Sequence, residues 1–216
     1  MNLPFTVEQF FTIFSQYNHA VWPAQLVLIA MALAAIVLVI WPRARSGITV
    51  SAILFVLWAW LGVAYHLVFF SRINRLAFAF AAVSVLGSFV FLAWGVVRRR
   101  VRFEGCPRWQ AWSGGFLFLY ALLIYPALSW AGGHPYFSSP TFGVPCPTTI
   151  FTFGVLAFAT PPLPRVLLAV PLLWSVIGGQ AALRLGVPQD FGLWVAGVFG
   201  VVLMFGSRRR IRPGLR

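Results

Sequence analysis

The chain contains no lysine. Its positive charge rests on sixteen arginines, set against three acidic residues, for a formal net charge of +13 over 216 residues. Without a lysine amine, neither retinal nor any other aldehyde can be held as a Schiff base, which excludes the multi-span pigments. Cysteine is nearly as scarce. Cys106 and Cys146 stand alone, no C-x-x-C occurs, and dithiol-exchange membrane enzymes are therefore poor matches. The N-terminus lacks a basic segment before its first apolar run and a small-residue cleavage site after it. The expectation is that no signal peptide is removed and the first span remains as an anchor.

What is abundant is apolar surface. Hydrophobic residues make up 61% of the chain and its mean hydropathy is +0.89, against about 45–50% apolar residues in soluble domains. The arginines fall in short segments between apolar runs, which makes them topology signals and not a nucleic-acid stripe. The lipid bilayer is the expected partner.

Seven apolar runs follow one another: 21–41, 47–70, 76–97, 111–131, 147–160, 165–183 and 191–206. The fifth and seventh are short of the roughly 20 residues that a span needs. With the N-terminus outside, the inner face collects Arg43, Arg45, Arg98, Arg99, Arg100, Arg102, Arg108, Arg165, Arg208, Arg209, Arg210, Arg212 and Arg216. Arg72, Arg75 and Arg184 remain outside. The positive-inside rule then gives N-out and C-in. The fold class read from the sequence is an all-α integral membrane bundle of seven transmembrane helices preceded by an amphipathic interfacial helix. Residues 1–20 form the interfacial helix, 21–206 the seven-helix domain and 207–216 a basic cytoplasmic tail. The expected location is a bacterial inner membrane, with a periplasmic N-terminus.

The interfacial helix has local signals. Thr6 and Gln9 form a capping box, Phe5 and Phe10 a hydrophobic staple, and Val7, Phe10, Phe14 and Tyr17 share one face. With neither Lys nor Arg on it, this helix is expected to pack over the bundle mouth more than to grip lipid headgroups. Glu8 suits the positive end of the helix dipole and His19 its negative end.

The stretch from Gly132 to Pro147 carries no formal charge, and its prolines at 135, 140, 145 and 147 forbid a regular helix until after Pro147. It either dips into the bilayer ahead of the short fifth span or caps the bundle from outside. Polar side chains gather toward the same end: Gln25, Tyr65, His66, Tyr125, Ser129, His134, Cys146, Thr148, Thr149, Thr152, Gln180 and Asp190. Polar groups are costly in hydrocarbon, so this bias predicts a cavity that opens outward. With Pro147 as the first helical residue, Cys146 becomes the N-cap of the fifth span, where a thiol is a nucleophile or a soft-metal ligand. Asp190 is read as the N-cap of the seventh span. The Gly192, Ala196 and Gly200 stripe, with Ser84 and Ser88, is read as close packing.

Three segments together resemble a family of small bacterial multi-pass membrane proteins of unknown function. They are Y-N-H-A-V-W-P-A-Q at 17–25, W-A-W-L-G-V-A-Y-H-L-V-F-F-S-R-I-N at 58–74, and G-H-P-Y-F-S-S-P-T-F-G-V-P-C-P-T-T-I-F-T-F-G at 133–154. The resemblance implies a multi-pass topology and directs attention to Tyr65, His66, His134 and Cys146 to Thr149. Alkaline ceramidase-type zinc hydrolases look similar in span count and direction. They carry an H-x-x-x-H pair in their last span, where this chain has no histidine. The V-P-C-P-T run is similar to the peroxidatic loop of peroxiredoxins, but Gly143 stands where the helper threonine belongs.

The functional expectation is binding, sensing or transport of a small ligand or metal ion at the outward cavity. Candidate contacts are His66, Tyr65, His134, Cys146, Thr148, Thr149 and Gln25. Of these, His66, His134 and Cys146 are a donor set suited to zinc or copper. Two alternatives stand beside it: a membrane-embedded hydrolase or thiol enzyme using Cys146 with His66 or His134 as base, and a structural or accessory subunit.

Overall fold

A computed structural model describes residues 4–206. Among these residues the fold is helical without strands. The helices are α1 (Val7–Val21), α2 (Ala24–Ile40), α3 (Ser46–Trp60), α4 (Ala77–Phe91), α5 (Arg108–Leu119), α6 (Tyr125–Ala131), α7 (Pro145–Ala157), α8 (Val166–Gly178), α9 (Gln180–Arg184) and α10 (Phe191–Gly206). The basic tail and its five arginines lie outside the described residues. Five helical stretches are long and apolar enough to cross a membrane: Ser46–Arg72, Ala77–Val97, Arg108–Ala131, Val166–Arg184 and Pro188–Gly206. A sixth is added if α1 and α2, bent by 88°, count as one.

Three stretches lengthen through π-helical turns, Leu61–Leu67 after α3, Leu92–Val97 after α4 and Tyr120–Ile124 between α5 and α6. A π-turn inserts one residue and rotates everything beyond it. The first turn carries Tyr65 and His66, consecutive residues that are both buried. The third ends just before Tyr125 and Pro126, where the proline ring has no N–H to offer the regular ladder.

The short helix α7 is the axis of the bundle. Every residue from Pro147 to Ala157 is buried, and α5, α8, α10 and α2 surround it. A helix enclosed by protein need not match the thickness of a bilayer, which accounts for its length. Close packing does the enclosing: Gly114 sits against Phe158 and the Gly154 carbonyl, and Gly200 against the Phe153 ring. The helix begins two residues earlier than expected. Val144 is the N-cap and Pro145 the first helical residue, because a proline suits N1 and the next two amides also lack intrahelical acceptors. Cys146 is therefore a first-turn residue and not a cap.

At one end, the segments carrying Arg43 to Ser46, Arg98 to Arg108 and Thr160 to Arg165 meet. Thr160 donates its amide to the Arg102 carbonyl at 2.8 Å, and the Glu104 amide donates to Thr160 Oγ1 at 2.6 Å. At the other end α1 lies across the bundle. Its capping box is present, the Thr6 amide donating to Gln9 Oε1 at 2.9 Å and the Gln9 amide to Thr6 Oγ1 at 3.2 Å. Phe5 and Phe10 stack at 6.0 Å. Helix-start hydrogen bonds from the Glu8 backbone amide and from Thr6 hold the Glu8 carboxyl below its ordinary value. Phe10, Phe14 and Tyr17 face inward as expected, but Val7 is exposed, so the buried stripe begins one turn later, with Phe10.

The 132–144 segment caps that end. Its first half is exposed, apart from partly covered His134 and Ser138, and Ser139 to Val144 are buried. Asn18 of α1 holds it, with Nδ2 donating to the carbonyls of Tyr136, Phe137 and Ser139 at 3.2, 2.9 and 2.9 Å.

Candidate functional site

Beneath α1 lies a cavity of about 260 Å³. Its roof is Pro4, Phe5, Phe10 and Phe14. Its walls include Tyr65, His66, Phe70, Phe80, Trp174, Ile177 and Ala181. Its floor is the start of α7, Val144 to Cys146, with Tyr125 and Asp190. Leu76, Gln180 and Arg184 also line it and are exposed, so they mark its mouth.

The side chains arrive there for local reasons. Tyr65 and His66 both lie in the π-turn after α3 and are buried. Tyr65 stacks between Phe14 and Phe70, at 5.7 and 5.8 Å. The His66 ring is surrounded by Tyr65, Phe70, Phe80 and Trp174, with centroids 5.0–6.2 Å away. His66 is fully buried, yet neither ring nitrogen has a hydrogen-bond partner, and the same holds for Trp174 Nε1. A buried polar group left unpaired costs about 1–3 kcal/mol. Two of them on one cavity wall are unusual in a finished core.

The floor is better satisfied. The Tyr125 hydroxyl donates to Asp190 Oδ1 at 2.5 Å, and the Cys146 thiol faces Asp190, Trp174 and Tyr125. Asp190 stands directly before α10, and its Oδ1 is engaged by the Tyr125 hydroxyl.

The sequence candidates divide. Tyr65, His66 and Cys146 line the cavity together. His134 does not line it: its ring stacks on Phe11 at 3.7 Å, and its amide donates to the Ser129 carbonyl. Among the described residues no three His, Cys, Asp or Glu side chains converge to hold a metal ion. The proposed His66, His134 and Cys146 ligand set is thus not assembled, because the cap carries His134 over α1. Gln25 is consumed in the stitching of the cap. Its Nε2 donates to Asn18 Oδ1 at 2.7 Å and Thr141 Oγ1 at 2.8 Å, and its Oε1 accepts from the Tyr136 hydroxyl at 2.8 Å. Thr148 Oγ1 accepts from the Gly143 amide at 3.2 Å. The Thr149 hydroxyl is buried and unpartnered but does not line the cavity.

Nothing in the sequence marks Trp174, Arg184 or the roof phenylalanines as site residues. A tryptophan within an apolar run has no distinguishing signal. Arg184 could be noticed only as one of three exceptions to the arginine asymmetry.

Comparison with curated proteins and with solved structures gives no match. The chain matches one family model across residues 7–214, and the protein belongs to that family, DUF6064, a family of unknown function.

Proposed function

We propose that this protein is a seven-pass inner-membrane protein of bacterial type, N-out and C-in, that binds a small, mostly apolar ligand in the outward cavity beneath α1. The seven passes are α2, α3, α4, α5 with α6, α7, α8 with α9, and α10. At about 1.5 Å per residue α2 reaches about 25 Å, close to a full crossing. Three features support this arrangement. The flanks expose large apolar side chains such as Val27, Leu86, Leu123, Val176 and Val198, a surface suited to lipid. Exposed tryptophans stand at both ends, Trp22 and Trp130 at the α1 end and Trp41, Trp109 and Trp112 at the other, as in interfacial belts. The described arginines follow the same division. Arg43, Arg45, Arg98, Arg99, Arg100, Arg102, Arg108 and Arg165 lie at one end and Arg72, Arg75 and Arg184 at the other.

The observation that carries the binding reading is the pair of unpartnered groups, the His66 imidazole and the Trp174 indole N–H, on one wall of an aromatic cavity. A polar ligand group there pairs with one His66 ring nitrogen and with the Trp174 N–H, while Phe5, Phe10, Phe14, Phe70 and Phe80 accept its apolar part. Binding or sensing at the outer face is better supported than transport, since the axis of the bundle is the packed helix α7 and offers no continuous path.

The test is extraction in native lipid followed by native mass spectrometry. The expected result is a small adduct on the wild-type protein that His66→Phe and Trp174→Phe both remove. His66→Phe exchanges an unpaired polar ring for an apolar one, so its thermal stability should be equal to or above wild type. Absence of an adduct, or an adduct retained by both variants, overturns the reading.

Thiol chemistry at Cys146 is a second reading, favoured by the presence of Cys146 and His66 on the same cavity. A mechanism-based alkylator that modifies Cys146 only while His66 is present would support it.

A further inference from the structure

We infer that the protein holds the phosphodiester head group of an anionic phospholipid in an arginine groove at the end of the bundle opposite α1. The inference depends on no feature of the cavity beneath α1. Arg43 and Arg45 come from the segment between α2 and α3, Arg99 and Arg102 from the segment between α4 and α5, and all four line one groove. The two segments touch at Gly47, where a Cβ would have no room against the Val101 carbonyl, so backbone packing holds the four arginines near one another. Glu104 is the one acidic residue on the groove. Its contact with Arg102, at 3.6 Å between exposed side chains, is a weak pairing and the only ion pair among the described residues. Arg43, Arg45 and Arg99 have no carboxylate to offset them.

Orienting the chain requires arginines in the inner loops, but not arginines gathered on one groove. Like charges brought together repel, and an anion among them offsets the repulsion. Arg99 separates the two explanations. Its φ is +51°, in the left-handed region that a Cβ disfavours, and the other described residues with positive φ, Gly105, Gly133, Gly143 and Gly186, are all glycine. Arg98 and Arg100 on either side line a separate hollow with Trp94, and either of them would serve as a topology signal. An arginine kept in a strained conformation between two others is accounted for by what its side chain does in the groove.

Guanidinium forks match the oxygens of a phosphate, and several of them on one groove at the inner end form the basic pocket that anionic head groups occupy. The depth is right for a lipid. Exposed Trp41 immediately precedes Pro42 at the edge of the groove, and tryptophans of this kind sit at head-group level. Ile40 and Val97, the exposed apolar residues just before the two segments, offer surface to the acyl chains. A free phosphate would use the arginines but gain nothing from that surface.

The full-length protein, delipidated in a neutral detergent, is titrated with dioleoylphosphatidylcholine, dioleoylphosphatidylglycerol and tetraoleoyl cardiolipin, and bound lipid is counted by native mass spectrometry. The expected result is at least one anionic lipid bound about tenfold tighter than phosphatidylcholine. Arg43→Gln with Arg99→Gln should erase that preference, while Arg100→Gln with Arg108→Gln, which removes the same charge from the same end, should keep it. Arg45→Gln with Arg102→Gln repeats the test should the first pair fail to fold. Arg99→Gly should weaken binding without lowering thermal stability, because glycine accepts the left-handed conformation. Equal losses in the groove and control pairs, equal binding of all three lipids, or wild-type binding by Arg99→Gly overturns the inference. Displacement of the lipid by excess inorganic phosphate also overturns it, by assigning the groove to a free anion. His66→Phe should leave lipid binding unchanged, so this result and the cavity test fail independently.

Discussion

The Tyr125 hydroxyl and Asp190 Oδ1 are 2.5 Å apart, and both side chains are buried. The contact ties the π-turn before α6 to the start of α10 at the floor of the cavity. Tyr125→Phe leaves a buried carboxyl without this donor and is expected to cost about 1–3 kcal/mol. In a double-mutant cycle with Asp190→Leu the two losses should not add, because the second substitution removes the group that the first left unsatisfied. Thermal unfolding in detergent measures all four species. Additive losses would show that the pair contributes nothing as a pair.

Asn18 is the knot that fastens the cap. Its amide reaches three backbone carbonyls, and its Oδ1 accepts from Gln25 Nε2 and the Thr141 hydroxyl, each bond between 2.7 and 3.2 Å. Asn18→Leu keeps the volume and discards every bond, with an expected loss of about 2–3 kcal/mol. The loosening should be local, so protease cleavage within 132–138 should rise before the bundle unfolds. A variant that resists cleavage as wild type does would remove Asn18 from this role.

The cap and roof were partly legible in the sequence because their signals are short-range. Thr6, Gln9, Phe5 and Phe10 announce a helix start within six residues, and the prolines around Cys146 announce another. The register at Pro145 is not fixed by the sequence, because Pro145 and Pro147 can each occupy a first turn and spacing does not choose between them. Tyr65 and His66 are buried together within a π-turn, whose shift of register a regular 3.6-residue reading does not supply. In the sequence His134 falls in with His66 and Cys146 because all three lie toward one end of the topology. Being at the same end says nothing about the path of an irregular segment, and here that path lays His134 on Phe11. Asp190 and Trp174 became site residues only through contacts with distant helices, which a linear reading does not contain.

The packing around α7 yields two glycine substitutions of opposite sign. A methyl at Gly200 meets the Phe153 ring, which is fully buried and has no room to withdraw. Gly200→Ala is expected to lose about 1–3 kcal/mol through overpacking. At Gly115, in the middle of α5, an added Cβ meets nothing within 4 Å, so Gly115→Ala should gain up to about 1 kcal/mol from helix propensity. Paired unfolding scans decide it. A Gly200→Ala variant at least as stable as wild type would contradict the enclosed position of α7.

Both cysteines are free, and they stand at opposite ends of the bundle, so they report topology as well as burial. An impermeant maleimide should reach Cys106 only from the inner side. Burial pushes the Cys106 thiol above its ordinary value, so the reactive thiolate is scarce at neutral pH and labelling should still accelerate as the pH rises past that value. Cys146 lies under the α1 roof and should react slowly, and only from the outer side. Phe10→Ala with Phe14→Ala removes two roof side chains and should speed labelling of Cys146 without affecting Cys106. If both thiols label from the same side of sealed vesicles, an odd number of passes between 106 and 146 is wrong, and the outward opening of the cavity falls with it.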